Sequence, residues 1–403
     1  MEKVIKISVI SALALTTSIT NVSADTLSEA FANGKIKGEI KSIYSSSNFL
    51  GKSNTDNIST VGGSLGYITS DFYGFSAGAT FQASHVIDDR NKNNVFKNDL
   101  DASGAVLSEA YLNYKLSNTS VKAGRQFIHT PLITSAITGK SSESLVKDSF
   151  EAYLITNSDI PNTTITAGYV DKYQDKTDGK TNIGKFEDFE DGAYTLYVKN
   201  NSIENLELQA QYLNVDAKKA NSDRDNIYLQ ADYKIAAHTL SAQYLLSKDE
   251  SKGSAKEDGQ LFGVKATGPL GIGKLGYIAA FNSSTKDGDV NLGAGAGAVD
   301  TPFTAMPVNG GGVPARANTD TIVGGIMIPV YDVTVVPYAG YSWSDYDALG
   351  DVSAVGAMAI YPFYKNFLLK ANYEHVGLEN TIAPAGIVDK NTDVTRVYLS
   401  YNF

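Results

Sequence analysis

The residues of this chain that could do enzyme chemistry do not lie in the settings that such chemistry needs. Gly62–Gly66 and Gly74–Gly78 both match the G-x-S-x-G pattern of serine hydrolases. That pattern requires a turn between a strand and a helix, whereas both matches lie inside or at the start of strand-like sequence. Gly271–Gly276 matches G-x-G-x-x-G, but a strand-like segment follows where phosphate binding needs a helix. With 36 glycines in the chain, we interpret all three matches as chance spacing.

The histidines and acidic residues give no stronger signal for a metal or a catalytic base. His85, His129, His238 and His375 are isolated, and no pair has the spacing of zinc ligands. A Ser-His-Asp set assembled only by folding is left open. The acidic run Glu187–Asp191 carries hard oxygen ligands but lacks the spacing of an EF-hand loop. We therefore expect no cofactor, with a solvated acidic loop as the main interpretation of this run and loop-bound Ca²⁺ as the alternative.

The elements that would position such residues are strands, because apolar and polar residues alternate along most of the chain. Ile36–Tyr44, Phe75–Ala83 and the last ten residues, Val394–Phe403, each have one apolar and one polar face. Period-two alternation is typical of strands that separate two different environments. The segmentation predicts eighteen strands, which begin near residues 35, 58, 74, 106, 119, 149, 162, 192, 203, 225, 238, 258, 274, 318, 333, 352, 365 and 391.

The connections between these segments alternate strictly between short and long. Short turns and long loops on opposite sides are typical of outer-membrane barrels, whereas a soluble sandwich has no reason to sort its loops in this way. We therefore predict an all-β fold: a transmembrane antiparallel barrel with short periplasmic turns and long extracellular loops. The glycine-rich segments Gly293–Gly297 and Gly310–Gly312 predict a flexible tip in the 285–317 loop.

The two ends of the chain agree with an exported barrel. Residues 1–24 have a basic start, an apolar stretch at Ile7–Leu15 and a small-residue cleavage pattern, Val22–Ala24. We expect a signal peptide over 1–24 and a single barrel domain over 25–403. The closing strand ends in aromatic residues, and Tyr401 and Phe403 are predicted to form the assembly signal.

Composition supports the same class. Cysteine is absent, Tyr (24) and Phe (16) are abundant, and hydrophobic residues make up only 42% of the chain. A wall with a polar inner face has this composition. The net charge of −10 argues against nucleic-acid binding.

Several segments resemble the OprD-type outer-membrane porins. In order, the matching segments are Leu27–Gly34, Gly124–Gln126, Thr130–Leu132, Ser149–Ala152, Ile160–Asn162 and Ala167–Gly168. The resemblance is specific over residues 25–172, and Campylobacter-type major porins are the nearest sibling family. It implies a diffusion channel with eighteen strands, an inward-folded third loop and a track of basic lumen residues facing acidic loop groups. This chain does not show a dense arginine ladder.

Carried onto this chain, the resemblance and the strand alternation give a set of candidate pore residues. Basic residues at inward positions are Lys37, Lys41, Lys115, Lys122, Lys199, Lys234, Lys370 and Arg396. Ordinary solvated lumen charge is the alternative interpretation for each. Strict alternation would place Arg125 toward lipid, so we predict a bulge near Gly124 that turns Arg125 into the lumen.

The third long loop, 129–148, is predicted to fold inward and narrow the lumen. It contains Pro131 and the apolar stretches Leu132–Ile133 and Ala136–Ile137, which a solvated loop does not need. Besides Pro131, the predicted residues of this constriction are Glu143, Asp148 and Glu151, which would face the basic residues.

These observations predict a passive porin, without enzymatic activity, for small hydrophilic solutes such as amino acids, small carboxylates and ions. The alternative is an outer-membrane barrel enzyme of the lipase or protease type. A TonB-dependent receptor is disfavoured because no plug domain is seen before the first strand. We expect Sec-dependent export to the outer membrane of a Gram-negative bacterium. The expected partners are membrane lipids, lipopolysaccharide, the barrel assembly machinery and solutes, with no nucleic acid, in a monomer or a homotrimer.

Overall fold

The structure is a computed structural model of the 403-residue chain. It describes residues 24–48, 55–90, 94–135, 145–218, 223–249, 258–307, 310–345, 350–379, 382–383, 386–387 and 390–403. Apart from Ala24, the predicted signal peptide lies outside the described residues, and so do Glu143 and the apolar pair Ala136–Ile137.

The described chain begins with one helical turn and continues almost entirely as strands. The helix α1 spans Leu27–Ala32, and a 3₁₀ helix spans Ala296–Asp300. The strands are β1 Lys35–Ser47, β2 Asp56–Ile68, β3 Phe75–Arg90, β4 Gly104–Leu116, β5 Thr119–Gln126, β6 Ser149–Asn157, β7 Thr163–Gln174, β8 Phe186–Asn200, β9 Leu206–Val215, β10 Arg224–Ile235, β11 His238–Asp249, β12 Gly259–Pro269, β13 Gly276–Ser284, β14 Thr319–Val330, β15 Val333–Ser344, β16 Val352–Phe363, β17 Phe367–Leu378, β18 Ile382–Ala383, β19 Gly386–Ile387 and β20 Lys390–Asn402.

Within the described residues, eighteen of these strands form one closed antiparallel sheet. Each of these eighteen strands pairs with the next one along the chain, β17 pairs directly with β20, and β1 pairs with both β2 and β20, so the sheet closes on itself. The seam continues past β20, because Gly38 and Phe403 exchange two backbone hydrogen bonds of 2.9 and 3.0 Å. The small β18–β19 hairpin is separate. The predicted all-β barrel of eighteen strands is confirmed.

Burial alternates along the strands as the sequence pattern predicts. On β1, Ile36, Ile40 and Tyr44 are exposed on the outer face, while Lys41 and Ile43 on the inner face are buried. A closed sheet satisfies its backbone groups internally, so the apolar outer side chains can face lipid. Among the described residues, no helix is long and apolar enough to cross a membrane.

The acidic run Glu187–Asp191 is not a loop, which corrects the sequence interpretation. β8 begins at Phe186, not near residue 192, and Glu187 and Asp188 pair with Tyr173 and Lys172 of β7. The pairing is irregular between Asp188 and Ala193 because extra residues intervene on β8. The charged residues belong to a strand extension that continues the β7–β8 hairpin.

The apolar core lies inside the barrel and is built largely from long connections. Ile128, Leu132 and Ile133 pack against inward side chains of β6–β12 and against the 285–318 connection. A second cluster joins Phe96 and Leu100 of the 91–103 connection to β1 and β2. Long loops therefore occupy much of one end of the lumen, and the wall at the short-turn end keeps exposed polar side chains such as those of Lys115 and Lys234.

Candidate functional site in the barrel lumen

One arc of the inner wall, from β17 through β20 and β1 to β5, carries most of the predicted basic residues. The register places Lys41, Tyr398 and Lys370 on neighbouring strands of this arc, all on the inner face. Lys370 lies over the Tyr398 ring, with 5.0 Å from Nζ to the ring centroid. The Nζ atom of Lys41 lies 3.3 Å from Glu39 Oε1. The alternation that makes the outside apolar therefore makes this inner arc cationic.

One cluster on this arc joins two lysines to one buried carboxylate. Lys37 Nζ lies 2.8 Å from Glu109 Oε2, and Lys122 Nζ lies 3.9 Å from Glu109 Oε1. Thr80 also donates its hydroxyl to Glu109 Oε2 at 2.5 Å. Lys122 Nζ lies 3.8 Å from the centroid of the Tyr111 ring. Two lysine ammonium groups share one carboxylate, so the cluster of Lys37, Lys122 and Glu109 has a net positive charge on the inner wall.

The described part of the 127–148 connection lies inside the barrel. The backbone N–H of Leu132 donates to Gln211 Oε1 on β9 at 2.8 Å, and Gln211 Nε2 donates to Thr130 Oγ1 at 2.9 Å. Leu132 and Ile133 are fully buried. The Pro131 carbonyl accepts a hydrogen bond of 3.0 Å from the hydroxyl of Thr301. The loop is therefore held against the inner wall by polar contacts as well as by its apolar residues.

A second connection, 285–318, folds inward beside the first, which the sequence did not predict. Ala294 donates its N–H to Leu132 O at 2.8 Å, and Thr134 donates to Ala294 O at 3.0 Å. Gly293 and Gly295 have φ values of +105° and +90°, and a Cβ at either position would overlap a backbone oxygen of the first loop. The glycine-rich segment predicted as a flexible tip is instead the close contact between two loops.

Asp148 is the carboxylate that joins the inward segments. It accepts hydrogen bonds from the Tyr173 hydroxyl at 2.5 Å, from the Lys176 N–H at 2.9 Å and from the Ala296 N–H. Its side chain is fully buried. Burial, together with the nearby Asp175 carboxylate, raises the pKa of Asp148 from 3.8 to about 6. The connections 127–148, 175–185 and 285–318 therefore meet at one titratable group.

Asp99 fixes the 91–103 connection to the wall in the same region. Its carboxylate lies 2.5 Å from Arg396 Nη2 on β20 and 2.7 Å from Lys176 Nζ. Burial alone would raise the pKa of Asp99, but the two cations outweigh burial and lower it. The predicted lumen residue Arg396 is therefore on the inner face and holds a loop in place.

Lys147 extends the cationic region into the first inward loop, next to a neutral His129. Burial, reinforced by the Lys147 ammonium, lowers the pKa of His129 to about 4. Burial also lowers the pKa of Lys147, as do Lys41 and Lys37, while Glu39 and Glu109 oppose the shift. The backbone N–H of Lys147 donates to Gln82 Oε1 at 2.9 Å. Sequence reasoning missed Lys147 because nothing local to it shows which wall residues it approaches.

The predicted bulge at Gly124 is wrong, and so is the predicted lumen position of Arg125. β5 pairs with β4 and β6 without a register shift, so alternation places Arg125 outside and the buried Gln126 inside. Arg125 Nε lies 3.4 Å from Glu151 Oε2, and its guanidinium lies 4.2 Å from the Phe186 ring centroid. Glu151 shares this outer face, so its predicted place in the constriction is wrong as well.

Partners from neighbouring strands explain why an outward arginine is tolerated. Glu151 also faces Lys172 Nζ at 3.9 Å, so the outer face carries a small network of opposite charges near the loop end of β5–β7. The nearest register shifts lie in β4, where Ser108 is extra, and in β7, where Asp171 is extra.

The other predicted residues are spread around the wall. Lys199 on β8 pairs with Glu207 on β9, with 2.8 Å between Nζ and Oε1. Lys115 and Lys234 are exposed at the short-turn end of the inner face. Among the described residues, no group of three or more His, Asp or Glu side chains could hold a metal ion. Calcium binding at Glu187–Asp191 stays a prediction.

The sequence and the fold give different results when compared with known proteins. No protein-family model and no curated protein matches the sequence. The structure, however, is similar to three solved structures, OccAB1 of Acinetobacter baumannii, OpdQ of Pseudomonas aeruginosa and OccAB2 of A. baumannii. Their TM-scores are 0.73, 0.72 and 0.70, at 14%, 15% and 16% identity. The similarity covers 94%, 92% and 93% of this chain and 99% of each of the other chains.

These similarities establish the fold. The chain forms a closed antiparallel β-barrel of eighteen strands, and the solved structures that share this fold are outer-membrane porins. More narrowly, the fold is similar to that of the OprD/Occ porins, so the resemblance seen in the sequence is confirmed at the level of fold.

Proposed function

We propose that this protein is an outer-membrane porin through which small hydrophilic solutes diffuse passively, with a preference for carboxylates and amino acids. The observation that carries the proposal is the cationic inner arc facing a lumen that two inward connections narrow. Lys37, Lys41, Lys122 and Lys370 lie on that arc, and Lys147 approaches it from a loop. Ammonium groups attract carboxylates, and a narrow lumen strengthens the attraction because less water screens it.

The fold supports a channel over the alternative of a lipase or protease barrel, since the solved structures that share it are porins. Sec-dependent export with cleavage after Ala24 belongs to the same proposal. So do insertion by the barrel assembly machinery, lipopolysaccharide in the outer leaflet, and a monomeric or homotrimeric state. The outer-membrane location is supported by the porin fold.

Planar-bilayer recordings of the refolded protein test the proposal. We expect discrete, voltage-stable conductance steps and a reversal potential in a salt gradient that indicates anion preference. The triple variant K37Q/K41Q/K370Q should lose that preference, because three inner-face ammonium groups disappear. The matched control is K234Q, which removes an exposed lysine at the short-turn rim and should behave like the wild type.

Absence of conductance in a correctly folded barrel would contradict the channel function. If the triple variant conducts with unchanged ion preference, the channel function stands but the lysine arc does not determine ion preference.

A further inference from the structure

Helix α1 presents two large apolar side chains to its surroundings without using them in the barrel. Leu27 and Phe31 are 58% and 53% exposed, and they lie four residues apart on one side of the helix. These fractions are close to the 57% of Ile40, which faces outward in the middle of β1. The pair is therefore as exposed as the lipid-facing residues of the wall.

The helix is fixed in place and is not a loose end. Thr26 and Glu29 form a capping box, in which Glu29 N donates to Thr26 Oγ1 at 3.2 Å and Thr26 N donates to Glu29 Oε2 at 3.3 Å. Ala30, the buried residue of the helix, accepts from the N–H of Ser70 at 3.0 Å. The helix therefore rests on the β2–β3 turn through Ala30, and this orientation holds Leu27 and Phe31 away from the turn.

Tyr67 shows which side of the wall the helix occupies. Tyr67 is paired with Ile36, whose side chain is 65% exposed on the outer face. The Tyr67 hydroxyl donates to the carbonyl of Phe31. A Cβ on Gly34 would overlap the Tyr67 ring, so this glycine lets the ring reach across the chain toward the helix. The end of α1 is thus tied to an outward-facing tyrosine at the short-turn rim.

The apolar surface of α1 is therefore continuous with the lipid-facing belt. Ile36, Leu65 and Phe75 are exposed outward residues at the same end of β1, β2 and β3. Short turns mark the periplasmic side of an outer-membrane barrel. Apolar side chains on a short amphipathic helix enter the boundary between headgroups and acyl chains, and aromatic residues favour that depth.

We propose that α1 is an interfacial helix that inserts the side chains of Leu27 and Phe31 into the phospholipids of the periplasmic leaflet. This role rests on the outer-membrane location and is independent of what passes through the lumen. The helix would fix the position of the β1–β3 rim along the membrane normal, because hydrogen bonds from Tyr67 and Ser70 join it to β2 and to the β2–β3 turn.

Fluorescence depth measurements test this proposal because the chain has a single tryptophan, Trp343. The probe is F31W in a W343F background, reconstituted in phosphatidylcholine vesicles with lipids brominated near the headgroup end of the acyl chain. L112W marks the lipid-facing wall, since Leu112 is an exposed outward residue of β4. Y331W marks the tip of a short turn beyond the strands, since Tyr331 in the β14–β15 turn is fully exposed. Heat modifiability on a gel confirms that each variant is folded.

We expect the indole of F31W to emit at shorter wavelength than that of Y331W and to be quenched by shallow brominated lipid roughly twofold more strongly. Quenching by aqueous acrylamide with no effect of brominated lipid would place the helix in water and overturn the proposal. Protection from both quenchers would show a protein cover, such as a second copy of the chain, and would overturn it as well. Conductance of F31W should match the W343F parent, so failure of this proposal is distinguishable from failure of the porin function.

Discussion

Protonation of Asp148 should control how firmly the inward loops are docked, and so how steadily the channel conducts. The carboxylate is fully buried and accepts hydrogen bonds from three segments, through Tyr173, Lys176 and Ala296. Asp175 faces the same group and repels its negative charge, while Lys176 attracts it. The perturbation is the variant D148N, studied together with the wild type over a range of pH.

The size of the effect follows from the pKa of Asp148, which burial and Asp175 raise from 3.8 to about 6. This difference in pKa means that the loops dock about 3 kcal/mol more firmly when Asp148 is protonated than when it is ionised. Because the pKa is raised, the docked state favours the protonated form. The extra stability is fully present below the ordinary pKa and is lost as the pH rises through about 6.

Single-channel recordings between about pH 5 and about pH 8 measure this effect. The wild type should show steady current in acid and more frequent excursions to higher conductance above pH 6, where the ionised carboxylate weakens docking. D148N cannot ionise, so its excursions should not change with pH over this range. One of the three donors would then face an amide N–H₂, which costs about 1–3 kcal/mol and raises the excursion frequency uniformly.

The control is D178N, which removes an exposed carboxylate from the same 175–185 connection. This variant should keep the pH dependence of the wild type. If D148N also keeps it, the titrating group lies elsewhere and the reasoning from the Asp148 junction is refuted.

Three further predictions concern the loop contact, the lumen charge and the seam. Gly293→Ala should weaken docking of the second loop by about 1–3 kcal/mol and raise mean conductance, because the φ of +105° at Gly293 and an overlap with backbone atoms disfavour a side chain. The control, Gly312→Ala, has open space around the new side chain and should leave conductance unchanged. Lys122→Gln should shift the reversal potential toward cations, whereas Arg125→Gln, on the outer face, should not. Phe403→Ala should lower the yield of heat-modifiable barrel, because the ring covers the β1–β20 seam and its loss removes about 1–2 kcal/mol of apolar contact.

The strands could be predicted from the sequence because each wall residue faces one of two media. Predicted strand starts lie within about three residues of the observed ones except at β8, which begins at Phe186. There the acidic run Glu187–Asp191 favoured a loop, and only pairing with Lys172 and Tyr173 on β7 makes it a strand. The alternation is local to each strand, whereas this pairing depends on a partner that the local pattern does not show.

Arg125 shows how a correct local pattern led to a wrong inference. Alternation placed this side chain outward, and the predicted bulge was introduced because an isolated arginine facing lipid is costly. The arginine is not isolated, since Glu151 on β6 and Phe186 on β8 lie against it. The energetic cost of the outward position was assigned to Arg125 alone, although residues from two other strands determine it.

The two inward loops also differ in how far their own sequences could predict their positions. Leu132 and Ile133 indicated the first loop, because apolar side chains in a long connection need a place to be buried. The second loop meets it through backbone atoms, Ala294 N to Leu132 O and Thr134 N to Ala294 O. Such a contact requires small residues on one side, and Gly293 and Gly295 supply them. Glycine can make a loop flexible or can let two backbones approach closely, so the glycine content of a segment does not distinguish these two roles. The apolar residues of the first loop create the inner surface on which the glycines of the second acquire their role.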